Sequence, residues 1–451
     1  MNRPSDSDMP TEMTLEDALA YATRLHRIGE IDAAETLYKR VLEAVPEHPD
    51  ALGFLAIARH QRGFSEEAIE LLRRSAELRP DAPGVWINLG NILLDLGRFE
   101  LAGEAYEHSL QFDDSNPGLY SNLGVLRRAQ GRLDEAEAAY RRALELDRKD
   151  IDAHNNLGNL LAGTGRIEEA VKHYCESIAL MPTNPAARKM LGYAYCMLGR
   201  IDEAVQYYRA WLREEPDNAT ARHHLAACSG EDVPERATDG YVESVFDSFA
   251  ESFDAKLSAL TYRAPELIAE AVARRFGDAA HELDILDAGC GTGLCGPLLS
   301  PHARTLTGID LSQPMLAKAQ GRRSYDRLIK AEITSFLETS VQASYDLIVS
   351  ADTLCYFGAL KAVLAAARHS LRSPGSLIFT VEMTSEDAAP ETGYRLATNG
   401  RYQHSRQYVC AMLQAAGFAT TTTEEVVLRT EGGKPVAGLL VSADTDPPPG
   451  H

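Results

Sequence analysis

The chain has 451 residues, 45% hydrophobic and 25% charged, enough for two or three folding units and unlike a wholly disordered or collagen-like chain. Its net charge of −21 is shared evenly, with 26 basic against 37 acidic side chains in residues 1–228 and 19 against 29 in residues 229–451. Neither half has the basic excess that phosphate backbones or anionic membranes attract, so no nucleic-acid or membrane partner is expected. The opening MNRPSDSDMPTEM lacks the basic and apolar parts of a leader, and no apolar stretch of about 18 residues follows. A soluble cytoplasmic chain is expected, with residues 1–14 and 444–451 as disordered ends. Seven cysteines, none in C-x-x-C, match neither a disulfide framework nor a zinc site. Reduced thiols and no metal are expected.

Residues 15–228 are organised by a period. Gly29, Gly63, Gly97, Gly131, Gly165 and Gly199 recur every 34 residues, an interval that marks a repeat architecture. Five residues after each comes Ala34, Ala68, Ala102, Ala136, Ala170 or Ala204, small enough for two helices to approach closely. One helical turn further on, Tyr38, Leu72, Tyr106, Tyr140, Tyr174 and Tyr208 are suited to fill the space between hairpins. Ahead of the glycines, pairs such as Leu89-Gly90, Leu123-Gly124, Leu157-Gly158 and Leu191-Gly192 set a large residue beside a small one, and Pro46, Pro80, Pro182 and Pro216 close four units. This pattern resembles the tetratricopeptide repeat family, most closely in Trp86-x-x-Leu89-Gly90 and Ala102-x-x-x-Tyr106. Asp114 and Arg148 depart from the family's proline position, and Pro117 suggests a turn punctuated slightly later.

The resemblance implies a superhelix of antiparallel helix pairs, ended by a cap helix near 219–228. It also implies a concave groove that holds a protein or peptide partner. Asn88, Asn91, Asn122, Asn156 and Asn159 recur at groove positions, where carboxamides can donate to and accept from an extended backbone. Structural or solvated asparagines are the alternative reading. His223 and His224 are expected at the surface of the cap.

Residues 229–240, SGEDVPERATDG, read as a polar linker. Beyond it, over 241–443, two aromatic-rich helical segments precede the apolar runs LDILDA, TLTGID, DRLIKA, YDLIVSA and SLIFTVE, which alternate with helical stretches as βα units of a parallel sheet do. TTTTEEVVLR and KPVAGLLVSA, separated only by TEGG, predict an antiparallel terminal hairpin. Between the first strand and its helix lies Asp287-Ala288-Gly289-Cys290-Gly291-Thr292-Gly293, whose glycines permit a tight turn and close backbone approach to a ligand. The frame from Gly291 to Gly296 also satisfies G-x-G-x-x-G, which alone is weak evidence for NAD.

Asp287 with these glycines, together with Asp310-Leu311-Ser312-Gln313-Pro314-Met315-Leu316 and the terminal hairpin, resembles class I methyltransferases that use S-adenosylmethionine. The resemblance implies a Rossmann-like α/β domain with a seven-stranded sheet. It further implies that Gly289 and Gly291 line the methionine part of the cofactor, with Asp287 and Gly293 of the same motif also cofactor-binding, and that Asp310 accepts from the ribose hydroxyls; that Asp287 only caps the turn is the alternative. Leu311 and Met315 would contact adenine, Glu332 and Ile333 would meet its edge, and Ala351 would face the amino end. Glu332 stands where the family more often has Asp.

If the acceptor must lose a proton, the candidate bases are His404 and Tyr356. Phe246, Phe249 and Phe253 repeat at helical spacing, either as the packed face of a helix or, by resemblance to small-molecule methyltransferases, as a lid that excludes water. Taken together the chain resembles bacterial methyltransferases with tetratricopeptide repeats, the array recruiting or positioning a protein or peptide partner or substrate. Two alternatives are a small-molecule methyltransferase whose array serves oligomerisation or assembly, and a non-catalytic scaffold with a cofactor-sensing domain.

Overall fold

The 34-residue period becomes a run of helical hairpins. The computed structural model describes residues 13–247, 250, 253–254, 257, 260–277, 280–385, 390–431 and 434–446, and among these thirteen helices run from Leu15–Arg27 to Ala219–Ser229. Each periodic glycine closes a hairpin turn with positive φ, from +70° at Gly199 to +88° at Gly29, a conformation that costs glycine little. Pro49, Pro83, Pro117 and Pro185 each open a helix, where the missing N–H is not needed. Pro117 thus starts a helix rather than ending a unit, and Asn116 caps it by accepting from the Leu119 N–H at 3.2 Å.

The chain divides into two compact units, residues 1–188 and 189–451. In the first, Tyr38, Tyr106, Tyr140 and Tyr174 are buried beside the fully buried alanines of the period. A Cβ on Gly90, Gly124 or Gly158 would lie 2.4, 2.3 or 2.6 Å from the ring of the tyrosine sixteen residues later, so the absent side chain is what admits the ring. The asparagine positions divide. Asn91 Oδ1 accepts from Tyr106 Oη at 2.7 Å and from Asn122 Nδ2 at 2.8 Å, and Asn159 Oδ1 accepts from Tyr174 Oη at 3.0 Å. Asn88 and Asn156 stay half-exposed.

The second unit begins earlier than the expected linker, and residues 229–240 do not hang free within it. Pro234 O accepts from Tyr402 Oη at 2.7 Å, Glu235 O accepts from the Gly358 and Ala359 N–H groups at 2.8 Å, and the Ala237 N–H donates to Tyr356 O at 2.8 Å. The segment is a strap whose backbone groups pair with chain more than 100 residues away. His223 and His224 are likewise buried, against the surface position expected of them. The His223 ring stacks on Tyr241 with centroids 3.9 Å apart, and its Nε2 donates to Gly400 O at 2.8 Å.

The sheet of this unit contains β1 (Leu283–Ala288), β2 (Ala303–Asp310), β3 (Arg327–Lys330), β4 (Tyr345–Ser350), β5 (Leu371–Met383), β6 (Tyr394–Leu396), β7 (Tyr402–His404), β8 (Thr420–Glu431) and β9 (Lys434–Asp444). Strands β3-β2-β1-β4-β5 are parallel, and β9 joins β5 antiparallel with β8 outside it, so the expected terminal hairpin forms. A short pair, β6 and β7, not foreseen in the sequence, extends the end of β5. Successive β1 residues face opposite sides: Leu286 joins the core with Phe379 and Val441, and Ile285 the core with Leu347 and Leu440. Strand order reverses between β1 and β4, the place where open α/β sheets bind ligands beyond their strand ends.

Candidate active site

At that switch point a cavity opens, lined by Gly289, Cys290, Gly291 and Thr292 after β1 and by Asp310 and Leu311 at the end of β2. Ala331, Glu332 and Ile333 follow β3 on its wall, and Ala351, Asp352 and Thr353 follow β4. Gly289 has φ +81°, and a Cβ there would fall 2.3 Å from Thr353 Cγ2, so only glycine lets the loop fold against the end of β4. At Gly291 a Cβ would meet, among the described residues, only Phe253, at 4.0 Å, an open stretch of backbone toward the cavity.

Asp310 is held in place by the loop it faces. Its Oδ2 accepts from the Gly291 N–H at 2.9 Å and its Oδ1 from the Ser312 N–H at 2.8 Å, the Leu311 N–H donates to the same carboxylate, and acceptor capacity is left for a ligand donor. Burial raises its pKa, opposed by these backbone donors. Asp287 lies behind the loop, buried, and accepts from Tyr325 Oη at 2.6 Å. Its other oxygen has no partner among the described residues, and burial pushes its pKa up to about 7. Glu332 caps the helix Ile333–Thr339: Oε1 accepts from the Thr334 N–H at 3.0 Å and Oε2 from the Ser335 N–H at 2.8 Å.

Aromatic rings close the other side. Phe246 and Phe253 line the cavity and meet edge to face at 6.0 Å, and Phe246 meets Tyr356 the same way at 5.4 Å. Phe249 lies outside the described residues. Two further contacts fasten the phenylalanine segment: Asp247 Oδ1 accepts from Ser312 Oγ at 2.6 Å, and Asp254 Oδ1 from Thr292 Oγ1 at 2.5 Å.

Residues 260–423 match the family model described as a methyltransferase domain, and residues 5–229 match that of the C-terminal domain of cilia and flagella-associated protein 70, a tetratricopeptide-type model. The chain carries a tetratricopeptide-type repeat domain followed by a methyltransferase domain. Malonyl-[acyl-carrier protein] O-methyltransferase of Priestia megaterium is 33% identical over 140 residues, covering 30% of this chain and 48% of that protein. Human methyltransferase-like protein 27 is 31% identical over 105 residues, covering 23% and 43%. The chain thus spans about half the length, or less, of these curated relatives. Among solved structures, Pseudomonas aeruginosa pilF aligns with 47% of this chain and 96% of its own at 19% identity and a TM-score of 0.42. Among the described residues no helix is long and apolar enough to cross a membrane.

Four residues singled out in the sequence do not line the cavity of the methyltransferase domain. Met315 is fully buried, in the first turn of the helix Gln313–Gly321, where its N–H donates to Ser312 Oγ at 3.3 Å. Gly293 packs instead under Tyr325 and Ala319, and Asp287 is behind the loop. His404 is fully buried and donates from Nε2 to Gly358 O at 3.1 Å, with its ring stacked on Tyr408. Burial lowers its pKa to about 4, and its place away from the cavity removes it as a base toward a substrate there. Tyr356 does line the cavity, but burial raises its phenol pKa, so near neutral pH it keeps its proton and is not a base.

Sequence reasoning missed the charged corner of the methyltransferase domain. Arg401 lines the cavity, and its Nη1 contacts Glu382 at 3.1 Å and Glu431 at 3.4 Å. Fully buried Arg429 holds Asp352 at 3.0 Å and pairs with Glu382. Burial pushes Asp352 up to about 6 and Glu382 up to about 7. The one available signal was Arg429 directly after the apolar run Val426-Val427-Leu428 within a strand, where a charge must find a partner.

Proposed function

We propose that the methyltransferase domain uses S-adenosylmethionine, and that the repeat array holds a protein or peptide partner or substrate for it. The observation that carries the first part is the convergence of Gly289, Gly291, Asp310, Leu311, Glu332, Ile333 and Ala351 on one cavity at the switch point. These residues fit the cofactor. Asp310 keeps acceptor capacity toward ribose hydroxyls, and the open backbone at Gly291 accommodates the methionine part. The Glu332 carboxylate is largely engaged in capping its helix, so the adenine edge is met chiefly by its neighbours Ala331 and Ile333. When bound, the sulfonium supplies an already activated methyl group.

What remains for the chain is to align an acceptor and exclude water, and the rings of Phe246, Phe253 and Tyr356 form an apolar wall suited to that. Tyr356 is assigned an orienting role. His404 is assigned a structural one. For the array, the half-exposed Asn88 and Asn156 are the groove positions that keep their carboxamides for a partner, whereas Asn91, Asn122 and Asn159 are tied within the array.

A second reading, favoured by the aromatic wall, is a small acceptor with the array used for assembly. Incubating the full chain with methyl-tritiated S-adenosylmethionine and a cell lysate, then separating protein from metabolite fractions, distinguishes the two. Label in protein that falls when Asn88 and Asn156 are both changed to Ala supports recruitment. Label in small molecules that ignores those changes supports the second reading, and no label in either fraction counts against catalysis.

A further inference from the structure

Two of the seven free cysteines face each other. Cys196 lies on the helix Pro185–Met197 and Cys228 on the cap helix Ala219–Ser229, and their sulfurs are 3.0 Å apart. A disulfide needs about 2.05 Å, so a closure of about 1 Å converts the contact into a bond. Both residues are half-buried, which leaves them open to a dissolved oxidant. The other thiols differ: Cys290, Cys295 and Cys355 are buried, and among the described residues no second pair of sulfurs is in contact.

We propose that Cys196 and Cys228 form an oxidisable dithiol, a modification site that a hydroperoxide converts into an intramolecular disulfide. The hydrogen bond from Cys228 lowers the pKa of Cys196, while the same contact and burial raise that of Cys228, which assigns the nucleophile to Cys196 and the retained proton to Cys228. The Cys196 thiolate attacks the outer peroxide oxygen, the O–O bond breaks, and the departing alkoxide or hydroxide takes up the proton that Cys196 released. The Cys228 sulfur then attacks the Cys196 sulfenic acid. The S–O bond breaks, and the hydroxyl leaves as water with the Cys228 proton. Two thiols thereby lose two electrons to one hydroperoxide, giving a disulfide, one alcohol or water, and a second water.

The position gives the bond a structural consequence. The cap helix carries His223, stacked on Tyr241 at 3.9 Å, and Tyr241 lies on the helix Asp239–Asp247 that brings Phe246 to the cavity. A crosslink at Cys228 fastens the support of that helix to its neighbour.

The test uses the full chain treated with one to two equivalents of hydrogen peroxide, as set by the stoichiometry above, then alkylated and digested without reductant. A Cys196–Cys228 linked peptide, the loss of two of seven titratable thiols and their return with dithiothreitol are the expected results. In Cys228→Ser, dimedone should label Cys196. Full alkylation of Cys196 and Cys228 after oxidation, or oxidation of Cys175 or Cys410 ahead of them, would overturn the proposal.

Discussion

In residues 13–188 one contact is made repeatedly, with Tyr106 on Gly90, Tyr140 on Gly124 and Tyr174 on Gly158. In the α/β unit Gly289 meets Thr353 once, and the loop it shapes has no second copy. Repetition spreads stability over equivalent interfaces, so the array tolerates damage at one of them as a solenoid does. The α/β unit concentrates its chemistry in a few backbone positions at the switch between β1 and β4, where one added methyl group reaches the whole site.

The largest effect is therefore expected from Gly289→Ala. A left-handed non-glycine residue costs about 1–2 kcal/mol and overpacking about 1–3 kcal/mol, and the new Cβ would sit 2.3 Å from Thr353. Cofactor binding by calorimetry should be lost or reduced more than tenfold, and wild-type affinity would show that the loop is not the binding element. Gly124→Ala in the array should cost about 1–3 kcal/mol in urea unfolding while leaving cofactor affinity unchanged. An equal loss of affinity would erase the contrast between the two regions.

A pH measurement sharpens the comparison. Asp287 keeps its proton up to about 7 in the folded chain, against about 3.9 for a free aspartate. Its contribution to stability is thus present below pH ~4 and lost as pH rises through about 7. Asp287→Asn, which can still accept from Tyr325, should flatten the fall in the urea midpoint across this range; an unchanged slope would place the titration elsewhere. The smallest change is expected from Asn88→Ala with Asn156→Ala. Surface changes of this kind shift stability within about 0.5 kcal/mol, so a drop in melting temperature of several degrees would reassign these carboxamides to the fold.

What could be read in advance follows the same division. The period made the array legible because each position was stated six times, and LDILDA coincided with β1 because an apolar run bounded by turn residues has few other uses. The glycines after β1 and Asp310 stand out for the same local reason, and of them Gly289, Gly291 and Asp310 line the cavity while Gly293 does not. Residues 229–240 were not, since a polar segment with proline and glycine looks like a linker until Gly358 and Tyr356 supply backbone partners from far along the chain. His223 and His404 mislead in the same way. Imidazoles in polar surroundings read as exposed or reactive, yet each is buried on a carbonyl, Gly400 for one and Gly358 for the other. Met315 shows the finest limit: Leu311, just before the helix, lines the cavity, and Met315 in its first turn is buried away from it.

The most direct test is calorimetric titration of S-adenosylmethionine into the full chain and into Asp310→Ala. Hydrogen bonds to a charged group contribute about 1.5–3 kcal/mol, so the variant should bind about 10- to 100-fold more weakly, with circular dichroism checking that it remains folded. Absence of binding heat in the wild type, or equal affinity in the two proteins, would contradict the assignment of this cavity to the cofactor.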